Sequence, residues 1–279
     1  AESLGNPKLD VLDLKAISKI AKSYKVPFIV DNTVATPYLL NPIEHGADIV
    51  IHSLTKYISG NGTSLGGAII DAGNFDWSNG KFPEFTEPSA GYHGLKYYEV
   101  LGASSFIAKV RIEGLRDLGA SLSPFNAFQI IQGLETLAIR IKKHSENALE
   151  LAKWLQKQSE VAWVNYPGLT SSKYYDLAQH YLPEGQSGVV TFGLKSGFDG
   201  AKKVADGTKL FALVANIGDT KSLIIHPAST THQQLSEAQQ ISTGVSKDLI
   251  RLSVGLEDVE DLKADLKAVF ENIPVQNRV

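Results

Sequence analysis

Short apolar runs separated by helical patterns fill the first part of the chain. From Asp10 to Tyr24, Leu14, Ile17, Ala21 and Tyr24 recur at helical spacing, with Asp10 as the expected N-cap and Pro27 as the stop. Phe28-Ile29-Val30 and Asp48-Ile49-Val50-Ile51-His52 have the length and composition of buried strands, and Gly66-Gly67-Ala68-Ile69-Ile70-Asp71 is a third candidate. Residues 37–45 connect the first two. Buried strands alternating with helices predict an α/β fold with a parallel sheet.

Residues 72–98 break this pattern. Gly73, Gly80, Pro83, Pro88, Gly91 and Gly94 are interleaved with Phe75, Trp77, Phe82, Phe85, Tyr92, Tyr97 and Tyr98. A long aromatic loop in a compact protein either serves function or packs against another surface. Beyond it, Leu134, Leu137, Ala138, Ile141, Ser145, Ala148, Ala152 and Leu155 step by three or four, which predicts one long helix able to link two domains. Strands are expected at 161–166, 189–194, 222–226 and 249–254, and a last helix from Glu257 to Phe270. The expected division is residues 1–115 in a large domain and 116–279 in a linking helix plus a smaller domain.

Composition narrows the function classes. The 279 residues carry 27 Lys+Arg against 30 Asp+Glu, a formal charge of −3, which gives no electrostatic footprint for nucleic acid or an anionic membrane. With 43% hydrophobic and 20% charged residues, the composition is that of a soluble globular protein. Cysteine is absent, which excludes a disulfide, a thiolate nucleophile and Cys-based zinc or iron–sulfur sites, and is compatible with a cytoplasmic protein. No apolar run approaches the roughly 20 residues needed to span a bilayer. The seven histidines include no His-x-x-x-His pair, so no metal site is expected.

Ligands of open α/β sheets bind beyond the carboxyl ends of the strands. Two strand ends here carry polar residues that a buried strand does not need: Asp31-Asn32-Thr33, and His52-Ser53-Leu54-Thr55-Lys56. An amine nucleophile can condense with a carbonyl. Neighbouring hydroxyls and backbone N–H groups can hold a phosphate. A buried carboxylate on the next strand can keep a pyridine nitrogen protonated, the state in which pyridoxal phosphate withdraws electrons. Taken singly, Lys56 reads as a solvated charge, Asp31 as a turn cap, and Gly60–Gly67 as a flexible turn. Together, Lys56, Ser53, Thr55 and Asp31 form one constellation for that cofactor.

Three linked motifs add a family resemblance. Glu2-Ser3-x-x-Asn6-Pro7, then Val30-Asp31-Asn32-Thr33-x-Ala35-Thr36-Pro37, then Gly46-Ala47-Asp48-Ile49-Val50-x-His52-Ser53-x-Thr55-Lys56-Tyr57-x-x-Gly60 resemble the Cys/Met-metabolism family of pyridoxal-phosphate enzymes in order and spacing. The resemblance runs on to Asp248-Leu249-Ile250-Arg251-Leu252-Ser253-Val254-Gly255-Leu256-Glu257 and so covers essentially the whole chain. Pro88–Gly94, Arg116–Gly119, Gln132–Leu137 and Ala215–Asp219 resemble its O-acetylhomoserine sulfhydrylase branch.

The resemblance implies fold type I of the pyridoxal-phosphate transferases: a large α/β domain with a mainly parallel sheet, then a smaller α/β C-terminal domain. It implies γ-replacement, O-acetyl-L-homoserine plus sulfide giving L-homocysteine plus acetate, by a tetramer of catalytic dimers. Lys56 would hold the cofactor and shuttle protons, Asp31 would pair with the pyridine nitrogen, and Ser53 and Thr55 would bind the phosphate. Asn6 would reach the ring's phenolic oxygen, Arg251 would grip the substrate α-carboxylate, and Asn216 would stand near that carboxylate or the lysine amine. A cystathionine γ-synthase or γ-lyase on the same scaffold, or a non-catalytic subunit fragment, are the alternatives. Ala1–Pro7 reads as a strand end and loop already in mid-fold, so a preceding segment or a second chain is expected to complete the cofactor site.

Overall fold

The computed structural model describes residues 1–273 and contains two sheets flanked by helices. In the first, β1 (Ile29–Asp31) and β2 (Ile49–Ser53) run parallel, with Asp31 level with Ile51. β3 (Gly67–Asp71) runs antiparallel on the other side of β2. The chain start extends this sheet beyond β1, since the Ser3 amide donates to the Asp31 carbonyl at 2.9 Å and the Asp31 amide to the Ala1 carbonyl at 2.8 Å.

The first helix spans Leu14–Ser23 and buries Leu14, Ser18 and Ala21. Its N-cap is Asp13, whose carboxylate accepts from the Ala16 amide at 3.1 Å, and not Asp10. Asp10 is diverted because its carbonyl accepts from the Gly5 amide and its neighbour Val11 bridges to Leu4, which holds these residues in a turn.

The second sheet contains β4 (Val161–Asn165), β5 (Val189–Leu194), β6 (Ala212–Leu213), β7 (Leu223–Ile225) and β8 (Leu249–Ser253), in the order β4-β5-β8-β7-β6. Two-residue β6 has too little pattern to be read from sequence. β5 is buried at every position, as expected of an inner strand with both faces covered.

The predicted long helix is two. Helix Pro124–Glu135 stops at Thr136 and helix Leu137–Leu155 starts after it. At the break the Gly133 carbonyl accepts from Arg140 Nη2 at 2.6 Å and from the Thr136 amide at 3.3 Å, so its acceptor capacity is met without a continuous helical ladder. Leu134 and Ala138 consequently fall off the buried stripe and are exposed. Leu137 and Ile141 pack in the core beneath the first sheet, while Ala148, Leu151, Ala152 and Leu155 pack beneath the second with Phe192, Leu252, Leu262 and Phe270. One helix thus belongs to both cores.

The last helix, Val259–Phe270, is capped by Asp258. Glu257 stays outside because its carboxylate accepts from the Ser222 amide at 2.7 Å and the Ser222 hydroxyl at 2.8 Å. The aromatic segment makes a third core: Trp77, Phe85 and Tyr97 are buried against Ile49, and Trp77 stacks on Phe106 at 5.1 Å.

Candidate active site

Because β1 and β2 are parallel and adjacent, Asp31 and Ser53 end at the same edge of the sheet. Thr33 joins them. Its amide donates to Asp31 Oδ1 at 2.9 Å, and its hydroxyl accepts from the Ser53 amide at 2.8 Å. Asn32 is fully buried and secures the turn from inside, accepting from the Ser3 hydroxyl and donating to the Thr36 and Leu40 carbonyls. Asp31 also acts on its neighbours. Burial pushes His52 below its ordinary range, and Asp31 partly offsets this; burial raises Glu2, with Asp31 adding to the rise.

The loop after β2 carries Thr55 and Lys56. Thr55 exchanges two hydrogen bonds with Gly66, donating to its carbonyl at 3.2 Å and accepting from its amide at 3.1 Å, which ties the loop to the entrance of β3. Lys56 Nζ donates to Asn216 Oδ1 at 2.5 Å, across 160 residues of sequence. The Asn216 carbonyl in turn accepts from Arg251 Nη2 at 3.0 Å, and Arg251 Nη1 donates to Asn6 Oδ1 at 3.3 Å. Lys56, Asn216, Arg251 and Asn6 therefore form a single hydrogen-bonded run.

Electrostatics set the state of this run. Burial, then the neighbouring Arg251 charge, lower the Lys56 pKa from its ordinary value. Two cations near each other with no carboxylate between them make a site prepared for an anionic guest. Arg251 sits on β8 between β5 and β7, and burial brings its pKa down to about 10. Its Nε is buried and has no partner among the described residues, so a donor remains for an acceptor that enters the site.

Asp31 and Ser53 form one group and Lys56, Asn216, Arg251 and Asn6 another; backbone links them, through the Lys56 amide donating to the Ser53 carbonyl at 3.3 Å. No ion pair joins Lys56 to Asp31 among the described residues. The Asn216 segment is seated by Gly218, at φ +76°, where a Cβ would strike Tyr57, and by the Thr220 amide donating to the Gly60 carbonyl at 2.8 Å. Two supporting residues were not singled out in the sequence. Thr33 lies inside a quoted motif, but its hydroxyl contact needs the parallel pairing. Arg140 is a charged residue on an apolar helix stripe, a signal that its spacing from Leu137 and Ile141 does carry.

Residues 1–271 match the family described as Cys/Met metabolism PLP-dependent enzymes. The chain is 56% identical over 282 residues to an O-acetyl-L-homoserine sulfhydrylase of Leptospira meyeri, covering 98% of this chain and 64% of that protein. It is 51% identical to O-acetyl-L-homoserine sulfhydrylase 1 of Thermus thermophilus, covering 95% and 63%, and 48% identical to the homocysteine synthase of Schizosaccharomyces pombe, covering 97% and 64%. A solved Campylobacter jejuni structure described as an O-acetylhomoserine (thiol)-lyase, with N'-pyridoxyl-lysine-5'-monophosphate, superposes with a TM-score of 0.94 at 48% identity, covering 97% of this chain and 65% of that one. The chain thus spans just under two thirds of the length of these relatives, and its α/β fold is that of the type I PLP-dependent enzymes. With nearly every residue matched, this chain belongs to the Cys/Met metabolism family of PLP-dependent enzymes.

Proposed function

We propose that this chain forms part of an O-acetylhomoserine sulfhydrylase, converting O-acetyl-L-homoserine and sulfide to L-homocysteine and acetate. The observation that carries the reading is the run from Lys56 through Asn216 to Arg251: an amine of lowered pKa beside a buried guanidinium with a free donor. The 46–56% identity to sulfhydrylases and homocysteine synthases favours this reaction over a γ-synthase, a γ-lyase or a non-catalytic fragment.

The residues fit pyridoxal phosphate. Lys56 offers the amine that holds it, and Asp31, at the end of the adjacent parallel strand, offers the carboxylate for its pyridine nitrogen. Ser53 offers a hydroxyl for its phosphate, Thr55 a second that turns to it from the Gly66 carbonyl, and Asn6 an amide for its phenolic oxygen. When bound, the cofactor supplies an electron sink for the charge left as a substrate C–H bond breaks. Lys56 Nζ then takes the proton from the amino acid's α-carbon and afterwards one from its β-carbon. Its lowered pKa leaves more free amine at neutral pH, as a general base requires. Arg251 binds the α-carboxylate with its planar fork, and Asn216 holds the lysine amine in reach. The γ-carbon–oxygen bond breaks to release acetate, the γ-carbon–sulfur bond forms with hydrosulfide, and Lys56 returns the two protons to the β-carbon and then the α-carbon.

The whole protein acts in the cytoplasm as a homotetramer with a small-molecule amino-acid substrate and no nucleic-acid or membrane partner. Exposed Leu118, Phe125, Phe128 and Ile139 support burial of these side chains in the assembly. The deciding experiment supplies O-acetylhomoserine and sulfide to the full-length protein and follows homocysteine, next to Lys56→Ala. The parent gives homocysteine and a visible absorption band; Lys56→Ala loses the band and about a thousandfold or more of the rate. A Lys56→Ala protein with an unchanged band, or breakdown of methionine with no homocysteine formed, overturns the reading.

A further inference from the structure

Four polar residues, Arg140, His144, Ser145 and Asn147, interrupt the apolar stripe of helix Leu137–Leu155. Arg140, His144 and Asn147 stand at i, i+4 and i+7, one face of the helix, and all three are buried, at 7%, 0% and 2% exposure. Each reaches out of its helix to backbone carbonyls. Arg140 Nη1 donates to the Tyr57 carbonyl at 2.7 Å and Nη2 to the Ile58 carbonyl at 3.1 Å. His144 Nδ1 meets the Val254 carbonyl at 2.6 Å, so that nitrogen carries the proton. Asn147 Nδ2 donates to the Gly255 and Glu257 carbonyls at 3.0 and 2.9 Å.

The two ends of this stripe hold different parts of the site. Tyr57 and Ile58 directly follow Lys56; Val254 and Gly255 lie three and four residues after Arg251. We propose that Arg140, His144 and Asn147 form a positioning stripe, a rigid bar that fixes the Lys56 loop against the Arg251 strand. This rests on the reading of Lys56 and Arg251 given above and deepens it.

Packing alone does not explain the three residues. Arg140 has no carboxylate partner among the described residues, and a buried cation without a counter-ion is a poor way to fill a core. What the guanidinium adds is direction: five donors in a fixed plane, used on Tyr57, Ile58, Gly133 and Thr136. Surrounding glycines let the parts close on each other. A Cβ at Gly60 would occupy the Arg140 guanidinium, and one at Gly133 would strike the Ile58 and Ser59 carbonyls. The Tyr57 ring meets the edge of His144 at 5.2 Å, so the loop and the strand end share one side chain between them.

The test reads the two ends separately in the full-length protein. Arg140→Lys keeps the charge and loses the fork; Asn147→Leu keeps the volume and loses both donors. With cofactor bound, Arg140→Lys lowers kcat on the order of tenfold to a hundredfold and leaves KM for the amino acid within about twofold, whereas Asn147→Leu raises KM about tenfold with a smaller change in kcat. After cofactor removal, Lys56 acetylation by acetic anhydride, read by peptide mass spectrometry, is several-fold changed in Arg140→Lys and parental in Asn147→Leu. Parental kcat, KM and Lys56 labelling in both variants overturn the proposal, whatever their thermal midpoints. If either fails to fold, Thr136→Val, which removes the acceptor for Arg140 Nε together with the hydroxyl's long bond to the Gly133 carbonyl, decides: a folded protein with parental Lys56 labelling and kcat overturns it. A parent without turnover or a visible band sinks the reading of the site, while the labelling comparison still judges the stripe.

Discussion

The two halves of the site are built differently. The half around Asp31, Thr33 and Ser53 is local: neighbouring strand ends joined by hydrogen bonds that span no more than 20 residues, on a framework set by one parallel pairing. The half around Lys56 is assembled from Asn6, Asn216 and Arg251 by hydrogen bonds that span 35, 160 and 245 residues. The local half is rigid because its polar groups satisfy each other next to a ladder. The assembled half depends on how two sheets and the helix that serves both cores are set against one another, so it is the half that distant substitutions can detune.

The comparison can be broken from the local side first. Asp31→Asn removes the negative charge proposed to face the pyridine nitrogen while the Thr33 amide can still donate to the new side-chain oxygen. The expected outcome is a fall in kcat on the order of a thousandfold, with the protein still folded and cofactor-loaded. Steady-state kinetics beside a visible spectrum check it; near-parental kcat would remove Asp31 from the chemistry.

Arg251→Lys attacks the assembled half. A single ammonium presents its three donors from one point, without the planar spread that spans Asn6, the Asn216 carbonyl and the carboxylate proposed to bind there. KM for O-acetylhomoserine is expected to rise about tenfold to a hundredfold, corresponding to the loss of one charge-assisted hydrogen bond of about 1.5–3 kcal/mol. An unchanged KM would mean that the carboxylate is bound elsewhere.

The smallest effect sharpens the contrast through pH. Burial pushes His144 down to about 4 from an ordinary 6.5, so the folded protein keeps it neutral where the unfolded chain would take a proton. The unfolded state therefore binds more protons between these values, and stability falls as pH drops below about 6.5 and levels off below about 4. Going from about pH 7.5 to about pH 5.5, His144 alone removes about 1 kcal/mol. Denaturant midpoints of the parent and His144→Phe check this: the variant loses that share of the slope, and equal slopes would show that His144 does not carry it.

Much of the site was legible because the motif residues sit where strand ends must be. Phe28–Val30 and Asp48–His52 are short apolar runs, and a polar residue directly after such a run falls at a sheet edge whatever else the chain does. Helix limits were less legible. Asp10 and Asp13 are equally good caps in sequence, and the Gly5–Asp10 hydrogen bond decided between them. Leu134 continues the periodic stripe on paper, yet the side chain of Arg140 takes the Gly133 carbonyl and the helix breaks at Thr136. The aromatic residues of 72–98 left a functional and a packing role open, and that they pack on each other and on Ile49 followed only from the tertiary structure.

Pattern and motif by themselves determined the α/β class and the strand ends and nominated an amine, a carboxylate and a guanidinium, because strands follow from burial of short apolar runs and few side chains are able to do each piece of chemistry. Only the tertiary structure decided that Asn216 joins Lys56 to Arg251, and that a buried face of one helix is hydrogen-bonded to the backbone next to the one and shortly after the other. Distances between residues far apart in sequence are fixed by how whole layers pack, and no local propensity encodes that spacing.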